Sequence, residues 1–294
     1  MGFKRLALND GTSAHISRGE DLNAKAMTLV QTNNSNGSFA PESNNTKYQV
    51  FAVGGGAGGG GWRAGGGGAA GAVFFEGVQF SGTSNISIGS RGSGANKGQF
   101  LNGGNGGTTS MNAATFKAQS NNKNTLSNIS VAGGGRGAGQ GQAGGSGGCG
   151  GGSGADNNTA PTGNIGGNGG PKTNNNSYMG GGGGGMGSDL TGDNGAQGGG
   201  DGFAFLGENY CAGGGQQGFY GSGGGGNVGN TNVGGNGGNT PNNGGGYGSG
   251  GGSRKNDSNS NAGGHGSAGR MQILKYDQPT LAGNVSNIKK VKKL

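Results

Sequence analysis

Charge is scarce in this chain. Asp, Glu, Lys and Arg make up 11% of its 294 residues and hydrophobic residues 27%, both well below globular shares. No window of about ten residues in its middle carries the i, i+3, i+4 apolar spacing of an amphipathic helix. Without such helices or many large apolar residues, the core of a sizeable α/β enzyme cannot be built, and no catalysis is expected. With 5 prolines and no strict glycine at every third position, collagen is excluded as well. No apolar run approaches the roughly 20 residues of a membrane-spanning helix. "MGFKRLALNDG" has no apolar centre, so the expectation is cytoplasmic synthesis without a cleaved secretory signal. The two cysteines, Cys149 in "GGCGGG" and Cys211 in "NYCAGGG", lack CxxC spacing, and His15 and His265 lie far from them in sequence. No metal or cofactor is therefore expected. Two small packed thiols, or a disulfide clamping two glycine-rich layers, remain as readings; cytoplasmic synthesis argues against the second.

What the chain does have is glycine, 85 residues of it. In "AVGGGAGGGGWRAGGGGAAGAVFFEG", Ala52 to Gly77, long glycine runs lie between short apolar patches. Glycine loses the most conformational freedom on folding, so such runs normally read as disordered linker. Two features favour order. Aromatic patches such as "AVFFEGVQF", "GFAFLGENY" and "QQGFYG" interrupt the runs, and charge is too low to keep a disordered chain solvated. The ordered form open to glycine is the polyproline II helix, three residues per turn with no internal hydrogen bonds. Where side chains are absent such helices can pack side by side and pair their N–H and C=O groups with one another. The predicted fold class is thus mostly β and irregular: short strands with packed polyglycine II helices, and little or no α-helix in the glycine-rich region.

Three segments follow from the change of composition. Residues 1–46 contain ordinary residues and end in "QTNNSNGSFAPESNNT", read as an attachment or oligomerisation segment with a linker. Residues 47–276 form the glycine-rich domain. Strands are expected at "KYQVFAV", "GAVFFEGVQF", "TSNISIGS", "AATFKA", "NTLSNISV", "GFAFLGENY" and "GRMQILKY". Asn-Gly pairs at Asn102, Asn105, Asn168 and Asn236 predict reversals between neighbouring glycine helices. Residues 277–294 are a basic tail in which Lys289, Lys290, Lys292 and Lys293 carry much of the net charge of +8. The tail is either a solvated terminus or an electrostatic contact for an anionic partner. Arginines are too scattered for an RGG-type array, so no nucleic-acid partner is expected.

"YQVFAVGGGAGGGGWRAGGGGAAGAVFFEGVQF", followed by "NISIGSRGSGANKGQ", "GGNGGTTS" and the closing "GGHGSAGRMQILKY", resembles the glycine-rich domain of bacteriophage tail-fibre and virion appendage proteins. The resemblance covers roughly Lys47 to Tyr276, and the order of the elements is its more specific part. It implies a virion protein of a tail fibre, fibre tip or surface appendage, made in the host cytoplasm. Its partners would be other virion proteins, through the N-terminal segment, and a bacterial surface receptor, either a glycan or outer-membrane protein loops. A homo-oligomer is expected, three-fold symmetry being common in fibres. It is similar, too, to the tip adhesins of T-even-like phages, which carry variable loops at the end of a polyglycine II block.

The side chains set among the glycines are then the receptor-contact candidates: Trp62 and Arg63 in "GWRAG", Tyr178 and Met179 in "NNNSYMG", Phe219 and Tyr220 in "GQQGFYGSG". Trp, Tyr and Arg anchor interfaces, and each pair is equally readable as a plug packed on a glycine layer. "GGSGG" fits G-x-S-x-G, but in so glycine-rich a chain that match carries no catalytic information. Two alternatives stand beside attachment. One is a purely structural capsid or tail decoration. The other is an antifreeze or cell-wall polyglycine protein, disfavoured by irregular inserts and the missing secretion signal.

Overall fold

The computed structural model describes residues 27–96, 100–112, 128–171, 180–186, 198–216, 225–237, 241–254 and 262–277. Among them are twelve short strands and no helix, so the fold is mostly β and irregular. The larger sheet has the antiparallel order β1 (Met27–Asn33), β12 (Arg270–Tyr276), β3 (Tyr48–Val53), β4 (Ala72–Val78). A second runs β2 (Gly37–Phe39), β5 (Ser84–Ser87), β6 (Thr109–Asn112), β7 (Asn128–Val131). Two hairpins complete the set: β8 (Phe203–Phe205) with β9 (Glu208–Tyr210), and β10 (Asn227–Val228) with β11 (Thr231–Asn232).

β3 is buried along its whole length because it is sandwiched. Tyr48, Val50 and Ala52 face a core shared with Phe39, Ile86, Met111, Ile129, Met271 and Ile273, between the two large sheets. Phe51 and Val53 alternate to the opposite side, where Leu274, Phe205, Tyr210, Ala69, Ala70, Cys149 and Cys211 pack. Phe51 alone meets Phe74, Phe205 and Tyr210 at ring-centroid distances of 4.5, 4.7 and 5.0 Å. Burying each such ring is worth roughly 1.5–3 kcal/mol, which concentrates much of the hydrophobic stabilisation at this pole.

The glycine runs continue from the strand ends, and their hydrogen bonds repeat every third residue. The amides of Gly54, Ala57 and Gly60 donate to the carbonyls of Gly71, Gly68 and Gly65 at 3.1, 3.1 and 3.0 Å. Those of Gly55, Gly58 and Gly61 go to Gly107, Gly104 and Leu101, and those of Gly56 and Gly59 to Ser267 and Gly264. One eight-residue run therefore donates to three neighbours in rotation, the signature of a helix with three residues per turn. No glycine between 54 and 71 has positive φ, which gives the helix the left-handed polyproline II sense.

The 65–71 segment is the centre of the packing. It donates to 132–138, 181–184 and 248–251, and accepts from 54–60, from Cys149 and Gly152, and from Gly214. Its six neighbours also bond to each other in a closed ring: Gly134 to Gly55, Gly135 to Cys149, Gly184 to Gly150, Gly183 to Gly214, Gly250 to Ala212 and Gly251 to Ala57. This is hexagonal packing of backbone against backbone, and it satisfies buried peptide groups without a sheet. A Cβ built on Gly67 would overlap the carbonyl of Ala57, and one on Gly183 that of Gly67. Glycine is required here by close approach.

Several local expectations change. Gly103, Gly106, Gly169 and Gly237 lack positive φ, so the four Asn-Gly pairs are not reversals. Each Asn sits within a run at the margin of the bundle, and its Oδ1 accepts from a neighbouring amide. Gly139, Arg136, Gly163 and Gly225 are the donors, at 2.9, 2.9, 3.0 and 2.7 Å. The chain reverses elsewhere, at Arg63 (φ 49°), Gly141 (φ 74°) and Asp156 (φ 69°). β4 and β5, adjacent in sequence, belong to different sheets. "GFAFLGENY" is a hairpin whose turn, Leu206-Gly207, has both φ positive (48° and 76°), as a type I′ turn demands. The segment read as an arm supplies β1 and β2. "AATFKA" and the lysine-rich end of the tail lie outside the described residues.

Candidate functional site

Every strand-to-run junction lies at one pole of the bundle. β3 enters 54–61, β4 leaves 65–71, β6 follows 101–107 and β12 follows 262–269. Thr109 ties two of these junctions together, its Oγ1 donating to the Val53 carbonyl at 2.6 Å and accepting from the Gly89 amide at 2.9 Å. β12 runs away from the bundle, and Met27 pairs with Tyr276 at its far end. Residues 27 and 277 are therefore at the pole opposite the glycine-run turns. Thr28 bonds Asp277 there, and Lys275 pairs with Glu42 at 2.8 Å, a contact that holds its ammonium pKa above the ordinary value.

The opposite pole is where the runs turn. The Trp62–Arg63 reversal joins 54–61 to 65–71, and the carbonyl of Arg63 accepts from the amide of Ala155. Cross-bonds place Leu101, Ala138, Gly152, Gly181, Ser253, Arg254 and Gly264 toward the same end. The Arg63 guanidinium lies 4.6 Å from the centre of the Trp62 ring, and Phe100 meets that ring edge-on at 5.1 Å. Trp62 is half-buried, with its Nε1 enclosed and without a hydrogen-bond partner. Its ring is thus engaged within the chain, as a plug would be. Phe100 (45% exposed, φ 62°) and Leu101 (41% exposed) present the open apolar surface beside it. Non-glycine residues at positive φ cost energy and collect at functional sites. Two of them, Arg63 and Phe100, meet here.

Of the other candidates, Tyr178 and Met179 lie in 172–179, and Phe219 and Tyr220 in 217–224, all outside the described residues. Gly180 and Gln216, which flank those segments, belong to runs whose cross-bonds put them toward the Trp62 end. Phe100 and Leu101, in "GQFLNGG", were missed in sequence; two adjacent large apolar residues against an Asn-Gly-Gly run are their only signal.

Neither Cys149 nor Cys211 is in a disulfide, and both are fully buried in the core at the sheet pole. Burial, with Cys149 nearby, pushes the Cys211 thiol well above its ordinary pKa, which disfavours a thiolate there. Arg270 bridges the same region, lying 4.2 Å from the Tyr247 ring centre and 3.5 Å from Glu208.

A comparison with curated proteins finds no match. A family model described as a glycine-rich domain matches residues 32–276, which takes in every strand except the first residues of β1. The chain belongs to that glycine-rich domain family.

Proposed function

We propose that the chain is a phage virion protein of a tail fibre, fibre tip or surface appendage. On this reading it attaches the particle to a bacterial surface through turns on a polyglycine scaffold. The observation that supports this most is the polarity of the body. Both ends of the described chain leave at the sheet pole, while the Trp62–Arg63 turn, Phe100 and Leu101 sit at the other. Residues preceding β1 would join other virion proteins, and the opposite pole would meet a glycan or outer-membrane loops. A lattice bonded in three directions gives a stiff mount, and few side chains are spent on building it. The chain would act by binding, without catalysis, and reside in the virion.

A labelled preparation of the full chain should bind a subset of bacteria saturably. Phe100→Ala/Leu101→Ala should reduce binding at least tenfold, a loss of about 1.4 kcal/mol, while lowering the melting midpoint by only about 2–4 °C for the lost Phe100–Trp62 ring contact. Saturable binding to no strain of a broad panel, with antibodies still decorating virions, would instead favour a structural decoration. The enclosure of Trp62 by Arg63 and Phe100 is the observation on that side.

A further inference from the structure

Between the Trp62 turn and the turn at Gly141, apolar and polar side chains share one surface. Phe100 and Leu101 are 45% and 41% exposed there, and the Trp62 ring centre lies 5.1 Å from that of Phe100. Gln142 Nε2 donates to the Phe100 carbonyl at 3.1 Å, and Gln142 Oε1 accepts from Asn102 Nδ2 at 2.6 Å. Asn102 is pinned in turn, its Oδ1 accepting from the Gly139 amide at 2.9 Å. On the other side of the same turn, the Gly141 amide donates to the Ala155 carbonyl, and Gln140 Nε2 to Asp156 Oδ2 at 2.6 Å. The Ala155 amide donates to the Arg63 carbonyl, which closes the group onto the Trp62 turn. Of the five non-glycine residues at positive φ among the described residues, Arg63, Phe100 and Asp156 sit in this group. Such strain collects at functional sites.

Exposed amide side chains ordinarily move among rotamers. Here their bonds to one another and to the backbone hold them in place before any ligand arrives. Asn102 and Gln142 each spend one N–H in doing so and keep a second for a partner, and Asp156 keeps Oδ1. The open apolar area is on the order of 150 Å², against about 800 Å² a side for a stable protein interface, which is too little to seat a second copy or a folded partner. It matches a single sugar ring. The polarised C–H groups of a pyranose lie against an aromatic face, while its hydroxyls take the amide N–H groups and the carboxylate. Asp156 would repel an anionic sugar. Resting on the reading of this pole as the attachment surface, we propose that Phe100, Leu101, Asn102, Gln142 and Asp156 bind a neutral saccharide. Phe100 stacks on one ring, and the polar residues bond its hydroxyls and those of the next.

The test puts the full chain on immobilised neutral oligosaccharides of glucose, galactose, mannose and N-acetylglucosamine, with oligogalacturonate as the anionic control. Hits are titrated by calorimetry and by the emission of Trp62, the one tryptophan of the chain. At least one neutral saccharide should bind saturably and shift that emission, and should bind more tightly than oligogalacturonate. Phe100→Leu, which keeps apolar bulk without the ring, and Gln142→Ala should each weaken binding at least about threefold. Asp156→Asn should weaken it in the same direction and melt within about 2 °C of wild type, because Asn also accepts positive φ. Silence from every neutral saccharide overturns the site, as does tighter binding of oligogalacturonate, or unchanged affinity in both Phe100→Leu and Gln142→Ala. Attachment to bacteria separates this site from the attachment reading. Cell binding that survives periodate oxidation of surface diols but is lost to protease would overturn the saccharide and leave attachment standing, on a protein. Saccharide binding without attachment to any strain would leave the site standing and remove the attachment reading.

Discussion

At the scale of single residues, the claim is that glycines of the central run are irreplaceable because a methyl group has nowhere to go. Gly67 and Gly82 make the contrast. A Cβ on Gly67 overlaps the Ala57 carbonyl, whereas one on Gly82 meets nothing within 4 Å. Gly67→Ala should destabilise by about 2 kcal/mol or more through overpacking and lost backbone bonds, lowering the melting midpoint by at least about 4–8 °C. Gly82→Ala should melt within about 1–2 °C of wild type, as a surface substitution away from packing does. Gly183→Val should unfold the block, and a soluble, cooperatively melting variant would count against the packing. A second residue-scale expectation concerns pH. Tyr210 is buried with its hydroxyl on Gln272 at 3.0 Å, and burial raises its pKa far above that of a free phenol, with Arg270 offsetting only part. Tyr276 is raised as well, by burial and then by Glu76. A folded-state pKa above the unfolded one leaves stability intact below about pH 10 and removes it as pH rises further, since only the unfolded phenol ionises. Melting midpoints should hold near neutrality and fall steeply above about pH 10, less steeply in Tyr210→Phe.

Among the elements, strands and glycine runs differed in how plainly the sequence announced them. "YQVFAV", "AVFFEGV" and "RMQILKY" declare themselves through β-branched and aromatic residues, and fold as β3, β4 and β12. β1 and β2 are built of "MTLVQTN" and "GSF", whose polar residues hide pairing decided by partners distant in sequence. The Asn-Gly pairs misled for a physical reason. Asn carries in its side chain the same carbonyl that the backbone offers, so at a bundle margin it serves as an extra acceptor. Asn105→Ala should therefore cost only about 1 kcal/mol, the worth of the bond to the Arg136 amide, or about 2–4 °C of melting midpoint. A collapse of the fold on that change would restore the turn reading. The candidate site was legible only at Trp62 and Arg63. Phe100 and Leu101 join them by lattice packing between runs far apart in sequence, which no local pattern encodes.

For the molecule as a whole, the sheets supply the hydrophobic core and the runs a rigid extension of about 25 Å, eight residues at 3.1 Å each. Net charge is placed unevenly. The described residues hold seven Lys and Arg against six Asp and Glu, near neutrality, so most of the +8 lies in the segments outside them. Everything in this account depends on the glycine runs being hydrogen-bonded to one another, and amide hydrogen exchange on the full chain tests that directly. If the packing holds, the amides of 65–71, bonded to three neighbouring runs and covered by six, exchange as slowly as those of β3 and open only with global unfolding. Exchange of 65–71 at unstructured-chain rates while β3 stays protected would contradict it, and would reduce the runs to linkers between strands.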